Sequence, residues 1–352
     1  MVGIADVARR AGVSTATVSR ALSGRPHVSP ATRLRVEEAA AQLEYVVSSN
    51  ASSLASGRTK NVGVVVPLLN RWFFANVVDG AQQALQRHGY DLTLYSLTGG
   101  PEARRSVFEH FLLRQRVDAV IAVSLELTEN EVARLHALGK PLVGVGGPLA
   151  GVPTLAVDDL AVARLATEHL IALGHTRIAH MGAGQAFDLD FNLPANRRFG
   201  FEAALTAAGI DGSGYDYCAA DSTTAGGYRA AKQLLGRPHD RPTAIFAASD
   251  EMAIGSILAA RDLGLVVPRD VSVIGVDDHE QAAFFGLSTV AQFPRQQGEK
   301  AVEVLMDELP PHPVPCAGLN IDMPFELIVR GSTARPPERT AATGSAGGSL
   351  GG

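Results

Sequence analysis

Two short runs of apolar positions at helical spacing open the chain, and a tight turn separates them. The inner-face positions are Val7, Ala8 and Ala11 in the first run and Val18, Ala21 and Leu22 in the second. A spacing of three to four residues predicts one apolar stripe on a helix. Gly12 suits the end of the first helix, and Ser14 suits the N-cap of the second. The segment from Ile4 to Leu22 is therefore predicted to form two helices joined by a turn.

The polar face of the second helix consists of short, mainly hydroxylic side chains and one arginine. With the cap residue, these positions are Ser14, Thr15, Ala16, Thr17, Ser19 and Arg20. Short donors can approach phosphates closely, and arginine can pair bidentately with the major-groove edge of guanine. The arrangement is typical of a helix-turn-helix with Thr15 to Leu22 as the recognition helix. An ordinary helical hairpin with a solvated face gives the same pattern, so both interpretations stay open here.

A third helix is predicted after Ser29-Pro30, where serine caps the helix and proline takes the first helical position. Its expected buried positions are Leu34, Val36, Ala39, Ala40 and Leu43, with Arg33 and Arg35 outside. Tyr45 is expected to close the small three-helix core. Residues 46–60 are rich in serine and show no periodic pattern, which indicates a linker.

From residue 61 onward, short apolar runs alternate with helical stretches. Strands are predicted at 62–67, 91–96, 117–123, 141–145, 177–181, 244–248 and 272–276. Helices are predicted at 74–88, 102–113, 129–138, 160–173, 197–208, 224–235 and 251–263. Continuous apolar strands that alternate with helices indicate parallel sheets covered on both faces. The series runs through twice, which predicts two doubly wound α/β lobes with a cleft between them.

Residues 289–293 and 327–330 are expected to cross between the lobes, with a helix at 298–309 in the first lobe. The predicted boundaries are 1–46 for an all-α headpiece and 47–60 for the linker. They are 61–159 and 290–323 for the first lobe, and 160–289 and 324–333 for the second. The tail, 334–352, is rich in Pro, Ser and Gly, which predicts disorder.

Charge is distributed unevenly along the chain. Residues 1–60 carry eight Lys or Arg and four Asp or Glu, so their charge is +4 and that of the remainder is −9. A basic head on an acidic body fits a DNA-binding module attached to a body that does not touch DNA. Cys218 and Cys316 give neither a disulfide framework nor a metal-binding spacing. No apolar run of about eighteen residues and no secretion signal is evident, so a cytoplasmic protein without membrane contact is expected.

The N-terminal segment ADVARRAGVSTATVSRALSG resembles the LacI/GalR family of bacterial repressors. Four further segments resemble family sequences and occur in the order found in the family: HLIALGHTRIAHMG, ANRRFGFEAAL, AIFAASDEMAIGSILAARDLGLVVPRDVSVIGVDD and ELIVRGST. The resemblance covers roughly residues 4–334, which is more specific than any single motif. It implies a helix-turn-helix headpiece, a hinge helix and a periplasmic-binding-protein-like core. It also implies a homodimer that binds double-stranded operator DNA under the control of a small effector.

The resemblance also assigns a role to the linker. Family repressors carry a short hinge helix here that folds on operator DNA, and Ala51 and Leu54 match its positions. Leu54 is expected to enter the minor groove, since an apolar wedge between base steps kinks the duplex. Family members often have Pro-Asn where this chain has Val47-Ser48, so the start of the hinge helix departs from the pattern.

The effector cleft is expected where the carboxyl ends of the strands in the two lobes face each other. The first-lobe candidates are Asn70, Trp72, Phe73, Phe74 and Ser124, and the second-lobe candidates are Arg197, Ser249, Asp250 and Asp277. Aromatic rings can stack on a sugar or a base, although Phe73 and Phe74 can equally begin a buried helix. The resemblance implies effector contacts for Arg197 and Asp277. A charged donor and a carboxylate suit vicinal hydroxyls, so a sugar or a sugar phosphate is expected.

Two other functions fit the sequence less well than a regulator does. A dehydrogenase would need G-x-G-x-x-G after the first core strand, where PLLNRWF stands, and no P-loop, G-x-S-x-G or metal-spaced His/Cys cluster is evident. A pure sugar-binding protein would have no use for residues 1–60. We therefore predict a non-enzymatic regulator without cofactor or metal. Its dimer contacts are expected on helix 251–263, from Met252, Ile254, Ile257 and Leu258.

Overall fold

The computed structural model describes residues 2–23, 27–45, 57–98, 100–114, 116–137, 139–183, 193–210, 215–237, 240–309 and 318–337. They form a three-helix headpiece and a core of two α/β lobes, as the sequence predicts. The hinge positions Ala51 and Leu54, and the departure at Val47-Ser48, lie outside the described residues.

The headpiece helices are α1 (Ile4–Ala11), α2 (Thr15–Leu22) and α3 (Pro30–Gln42). Gly12 ends α1 in the left-handed conformation with φ 67°, which glycine adopts without steric cost. The Ser14 hydroxyl accepts a hydrogen bond of 3.1 Å from the backbone N–H of Thr17, so Ser14 caps α2. The predicted helix-turn-helix is therefore present, with its capping residues in their expected roles.

The headpiece core differs from the prediction at one position of α3. Val36, Ala39 and Ala40 are buried as expected, and Tyr45 packs against them. Leu34, in contrast, is 58% exposed. It precedes Val36 by two residues, a rotation of about 200° around the helix, so the two side chains lie on opposite faces. Arg33 was expected to be outside, but it is half-buried and donates to the carbonyl of Ala21 at 3.1 Å.

The first lobe is a six-stranded parallel sheet with helices on both faces. Its strands are β1 (Asn61–Val66), β2 (Asp91–Ser96), β3 (Ala119–Val123), β4 (Leu142–Val145), β5 (Thr154–Ala156) and β11 (Asn320–Asp322). Their order is β11-β5-β4-β3-β1-β2. Its helices are α4 (Trp72–Arg87), α5 (Pro101–Ser106), α6 (Glu129–Ala137) and α11 (Pro294–Glu308). The predicted helix 102–113 is interrupted by a π-helical turn, Val107–Phe111, and a 3-10 turn, Leu112–Arg114.

The second lobe repeats this design. Its strands are β6 (Ile178–Ala183), β7 (Tyr215–Ala220), β8 (Ala244–Ala247), β9 (Ser272–Asp277), β10 (Ser288–Ala291) and β12 (Glu326–Ile328). They are ordered β12-β10-β9-β8-β6-β7, with β12 antiparallel to β10. Its helices are α7 (Asp159–Ala172), α8 (Leu193–Ala207), α9 (Thr224–Leu235) and α10 (Asp250–Asp262).

Both predicted lobe crossings are displaced along the chain. Residues 288–291 form β10, which pairs with β9, so they belong to the second lobe and the chain leaves it only at 292–293. The return lies between β11 and β12, at 323–325, because 326–328 already pair with β10. A short buried strand looks alike in sequence whichever sheet it joins, and only the pairing decides. The predicted boundary at 290 therefore falls inside a second-lobe strand.

The sequence predicts a disordered tail from residue 334, but residues 334–337 belong to the described structure. The carbonyl of Ala334 lies 2.8 Å from His175 Nε2 and accepts from the Ser272 hydroxyl at 3.1 Å, which fastens it to the second lobe. Residues 338–352 lie outside the described residues.

A close crossing of α4 and α11 positions the first-lobe side of the cleft. A Cβ atom on Gly80 would lie 2.0 Å from the carbonyl oxygen of Arg295, and one on Gly298 would lie 2.0 Å from that of Val77. Only glycine allows this backbone approach. The crossing places the start of α4, which carries Trp72, beside the start of α11.

Candidate functional site

A cavity of about 240 Å³ lies between the lobes, at the carboxyl ends of the strands. Its walls are formed by Trp72, Asn76, Asp277, Asp278, Ala291, Phe293, Pro294, Arg295 and Gln296. Trp72 and Asp277 are thus the sequence-predicted residues that line it. The other candidates lie around or behind these walls, and their contacts show what each one does.

Trp72 begins α4 and reaches across to the second lobe. Its indole Nε1 donates a hydrogen bond of 2.6 Å to Glu280 Oε2. Its ring centroid lies 5.0 Å from that of His279, at an interplanar angle of 31°. Both the polar edge and a face of the indole are therefore in contact with the loop after β9.

The other first-lobe candidates do not line the cavity. Phe73 and Phe74 pack against the first-lobe core, which is the buried-helix alternative. Asn70 is exposed in the loop before α4. Ser124 follows β3, is buried in a left-handed conformation with φ 45°, and donates its backbone N–H to Val145 at 2.6 Å.

Arg197 lies beneath the cavity, with its side chain only 5% exposed. Its Nε and Nη2 atoms lie 2.9 and 2.8 Å from Asp159 Oδ1. Its remaining contacts are the carbonyl of Ala248 and, at 3.2 Å, the side-chain oxygen of Gln292. Burial raises the pKa of Asp159, although the charge of Arg197 opposes the shift. The guanidinium is thus neutralised by a carboxylate that the sequence did not indicate.

Asp277 ends β9 and lines the cavity. Its Oδ1 accepts a hydrogen bond of 2.6 Å from Gln292 Nε2, so Gln292 bridges Asp277 and Arg197. Burial raises the pKa of Asp277 to about 7, and the charge of Arg197 and the Gln292 hydrogen bond counteract part of that shift. Asp277 can therefore change its charge near neutral pH.

Ser249 and Asp250 shape the neighbouring loop and do not line the cavity. Ser249 caps α10, and Asp250 is fully buried. The carboxylate of Asp250 accepts from the backbone N–H of His279 at 2.8 Å and from the Thr289 hydroxyl at 2.7 Å. Burial raises the pKa of Asp250 well above its ordinary value, and the nearby Asp277 charge adds to the effect. These contacts hold the loop that carries the partner of Trp72.

Two further charged residues of the cavity wall are also paired. Arg295 Nη2 lies 3.0 Å from Asp79 Oδ2, and Asp278 Oδ1 lies 2.6 Å from Arg330 Nη2. Phe293, beside them, has φ 52° just before Pro294 begins α11. The Phe293-Pro294 step directly before a helix could have indicated from the sequence that Phe293 lines the cavity. The ion pairs could not be predicted in this way, because each joins residues far apart in sequence.

The recognition helix presents part of its predicted face to solvent. Ser14, Thr15, Ala16 and Arg20 are exposed, whereas Thr17 and Ser19 are half-buried. The hydroxyl oxygens of Thr17 and Ser14 lie 2.9 Å apart, so Thr17 takes part in the cap. The side chain best placed to reach a base edge is that of Arg20.

Comparison with known proteins identifies both parts of the chain. Residues 3–48 match the model for bacterial regulatory proteins of the lacI family, and residues 167–333 match a periplasmic binding protein-like domain. The chain is 37% identical over 350 residues to the HTH-type transcriptional regulator MalR of Streptomyces coelicolor, covering 95% of this chain and 97% of the relative. The chain belongs to the LacI family. This LacI-family protein is thus a DNA-binding transcriptional regulator of the ligand-controlled kind.

Solved structures of the family agree with this fold. A Lac repressor dimer bound to operator and the anti-inducer ONPF matches with a TM-score of 0.82 at 29% identity, over 95% of this chain and 99% of that one. The transcriptional regulator CelR in complex with cellobiose matches with a TM-score of 0.65 at 31% identity, over 94% and 100%. Among the described helices of this LacI-family protein, none is both long and apolar enough to span a membrane.

Proposed function

We propose that this LacI-family protein is a homodimeric repressor that binds a palindromic operator, and that a neutral saccharide between the lobes controls its affinity for that operator. The proposal for the effector rests above all on the pairing of Arg197 with Asp159 beside the carboxyl group of Asp277.

The charges at the cavity favour a neutral ligand. Arg197 and Arg295 are each paired with a carboxylate, so neither offers an uncompensated positive charge. A phosphate or carboxylate on the ligand would have to displace Asp159 from a buried pair and approach Asp277. Both steps are costly, since an unpaired buried charge is strongly destabilising. Ligand hydroxyls, in contrast, can donate to Asp277 and pair with the amide of Asn76.

The size of the ligand depends on lobe movement. The cavity of about 240 Å³ is smaller than the pockets of roughly 300–1,000 Å³ that usually hold small ligands. A disaccharide therefore requires the lobes to open around the crossings at 157–158, 292–293 and 323–325. The CelR–cellobiose complex supports a ligand of this class. The resemblance to the family implies a bulky aromatic at position 222, and the small Ser222 of this chain supports a larger rather than a smaller saccharide.

For DNA, we propose that Arg20 reads a guanine and that Thr17 and Ser19 contact phosphates. One recognition helix reads only a few base pairs, and two helices on a two-fold axis read a palindrome. Leu54 remains our proposed minor-groove wedge. The Lac repressor matched above is a dimer bound to operator, which supports the same assembly here.

We place the proposed dimer contact on the loop that follows β9 and no longer on helix α10. Met252 and Ile254 belong to the buried second-lobe core and offer little surface to a partner, and Ile257 and Leu258 are half-buried against that core. Phe284, in contrast, is 89% exposed. Aromatic side chains are enriched in the centres of interfaces, and a ring exposed to this extent gains most from being covered. We propose Phe284 as a contact between the second lobes.

Two measurements test this function. A random duplex library is selected with the full-length protein, and a palindromic consensus is expected. Thermal shifts are then measured with maltose, cellobiose and trehalose, and in parallel with trehalose 6-phosphate and glucose 6-phosphate. A neutral saccharide is expected to raise the melting temperature and to change the affinity for the selected duplex. A response to the phosphorylated sugars alone would overturn the proposed effector class.

A further inference from the structure

The carboxylate of Asp118 holds the chain at the point where the linker enters the core. Asp118 is only 7% exposed and immediately precedes β3. Its Oδ1 accepts from the backbone N–H of Thr59 at 2.8 Å and from the Thr59 hydroxyl at 3.0 Å. Its Oδ2 accepts from the backbone N–H of Lys60 at 2.8 Å. One side chain thus fixes two successive residues directly before β1.

The neighbouring backbone reinforces this attachment. The N–H of Asp118 donates to the carbonyl of Asn61 at 2.7 Å, and β1 and β3 then run in parallel register from Val62 opposite Ala119. Their carboxyl ends lead to the cleft side of the first lobe, where Trp72 lies. Asp118 therefore sits at the opposite end of the same two strands from the effector cavity.

We propose that Asp118 is a positioning residue for DNA binding: it fixes the point and direction at which the linker leaves the core. The first lobe then carries the linker origin with it whenever the lobes move. The inference rests on the proposed function in requiring a dimer whose two headpieces bind a specific duplex. Three hydrogen bonds to one charged acceptor are stronger than neutral ones, and a fixed tether origin lowers the ordering cost of docking both headpieces.

Electrostatics alone predicts tighter DNA binding when Asp118 is removed, and the proposed attachment predicts weaker binding. The direction of the change in affinity therefore tests the proposal. DNA is a polyanion, so removing a carboxylate near the linker should tighten binding if the charge alone mattered. Asp91 offers a matched control, because it begins β2 opposite Asn61 and is exposed. Its side chain makes no hydrogen bond within the described part of the chain, so Asp91→Asn removes charge without releasing the linker.

The test compares full-length Asp118→Ala, Asp118→Asn, Thr59→Val and Asp91→Asn with the wild type by fluorescence anisotropy, using a duplex selected by the wild-type protein. Asp118→Ala is expected to weaken binding about threefold for each headpiece, hence about tenfold for a dimer. Thr59→Val removes one donor of three and should weaken binding less. Asp91→Asn should bind as tightly as the wild type or more tightly. An affinity of Asp118→Ala within about twofold of wild type would overturn the proposal.

A second readout separates positioning from general stability. Loss of fold reduces the fraction of protein active in stoichiometric titration, whereas loss of positioning raises Kd at an unchanged active fraction. Amide exchange should accelerate at Thr59 and Lys60 and not in β4 if the attachment is local. Should Asp118→Ala fail to fold, the remaining variants decide the test. Kd is then expected to rise in the order wild type, Thr59→Val, Asp118→Asn, and equal Kd values would refute the proposal. A wild-type protein that selects no duplex would instead overturn the proposed function.

Discussion

The indole Nε1 of Trp72 in the first lobe donates a hydrogen bond of 2.6 Å to Glu280 Oε2 in the second lobe, across 208 positions of sequence. Trp72 is the single tryptophan of the chain. Since its ring also lies against His279, any movement of one lobe relative to the other changes its surroundings. Intrinsic tryptophan emission is therefore a site-specific report on the cleft.

The Trp72–Glu280 contact should favour the closed arrangement of the lobes. Glu280→Ala removes the acceptor and is expected to cost closure about 1 kcal/mol, the usual net value of a hydrogen bond. Trp72 emission should shift to the red, and the radius of gyration from X-ray scattering should rise. Glu280→Gln keeps an acceptor and should behave more like wild type. Unchanged emission and radius in Glu280→Ala would show that the contact does not bias the lobes.

Effector affinity should depend on pH near neutrality. Burial raises the pKa of Asp277 to about 7, and a ligand hydroxyl donates a stronger hydrogen bond to the ionised carboxylate than to the protonated acid. Affinity should therefore rise as the pH increases through about 7 and then level off. Asp277→Asn should bind weakly, by about 1–3 kcal/mol, and without this pH dependence. Calorimetric titration from about pH 6 to 8 measures both, and a flat wild-type profile would contradict the assignment.

The same shift makes a prediction about stability, with the opposite sense. Since the folded pKa of Asp277 exceeds its ordinary value of 3.8, the contribution of this carboxyl to stability is present at low pH and is lost as the pH rises through about 7. The melting temperature of Asp277→Asn relative to that of wild type should therefore rise between about pH 4 and 7 and then level off. A constant difference between the two proteins over that range would contradict the raised pKa.

His180 should make the fold sensitive to acid. Its ring is fully buried and stacks on Phe246 at 4.7 Å, and its Nδ1 donates to the Phe246 carbonyl. Its Nε2 has no hydrogen-bond partner among the described residues. Burial lowers the pKa of His180 to about 4. Its contribution to stability is thus present above its ordinary pKa of 6.5 and is lost as the pH falls toward 4, by up to about 3 kcal/mol.

His180→Phe keeps an aromatic ring at this position and removes the titration. Denaturant unfolding should show that the variant retains stability between about pH 6.5 and 4.5 that wild type loses. The exposed His136 provides the control, and His136→Gln should follow wild type. Parallel losses in wild type and His180→Phe would show that other groups govern acid unfolding.

Arg20 should contribute to sequence specificity as well as to affinity. Its side chain is exposed on the recognition helix, and a bidentate contact to guanine is worth about 1–3 kcal/mol. Arg20→Ala should relax the consensus at one symmetric pair of positions in a selected library. Arg35→Ala, also exposed but on α3, removes the same charge and should leave the consensus unchanged. Equal weakening on selected and random duplexes would reduce Arg20 to a phosphate contact.

Local chemistry made much of the fold predictable. Gly12 and Ser14 determine the turn of the headpiece through a left-handed backbone and a side-chain cap, and both effects operate within a few residues. Continuous apolar strands likewise indicated the central strands of each sheet. The strands β5, β7 and β11 were not predicted, since short or polar strands at or next to the edge of a sheet carry little pattern. Leu34 was wrongly assigned to the buried face of α3, because an apolar residue next to the stripe in sequence can still point to solvent.

The site was predictable only in part, because its decisive contacts are non-local. Trp72 was predicted from its place after the first core strand, and Asp277 from its loop position together with the family resemblance. Asp159 pairs with Arg197 across 38 positions, and Gln292 joins the pair across 95. Periodicity and spacing give no information about such partners. The same limit hid the role of Asp250, whose carboxylate looks like a ligand-binding group in sequence and instead braces a loop.

The central claim is that a neutral saccharide bound at Asp277 controls the affinity for operator DNA. The most direct measurement is the Kd of wild type and Asp277→Asn for the selected duplex, with and without the saccharide that raises the melting temperature. We predict equal Kd values without saccharide, a change of about tenfold or more for wild type with it, and no response from Asp277→Asn at the same concentration. A wild-type Kd that the saccharide leaves unchanged, or a full response from Asp277→Asn, would contradict the account.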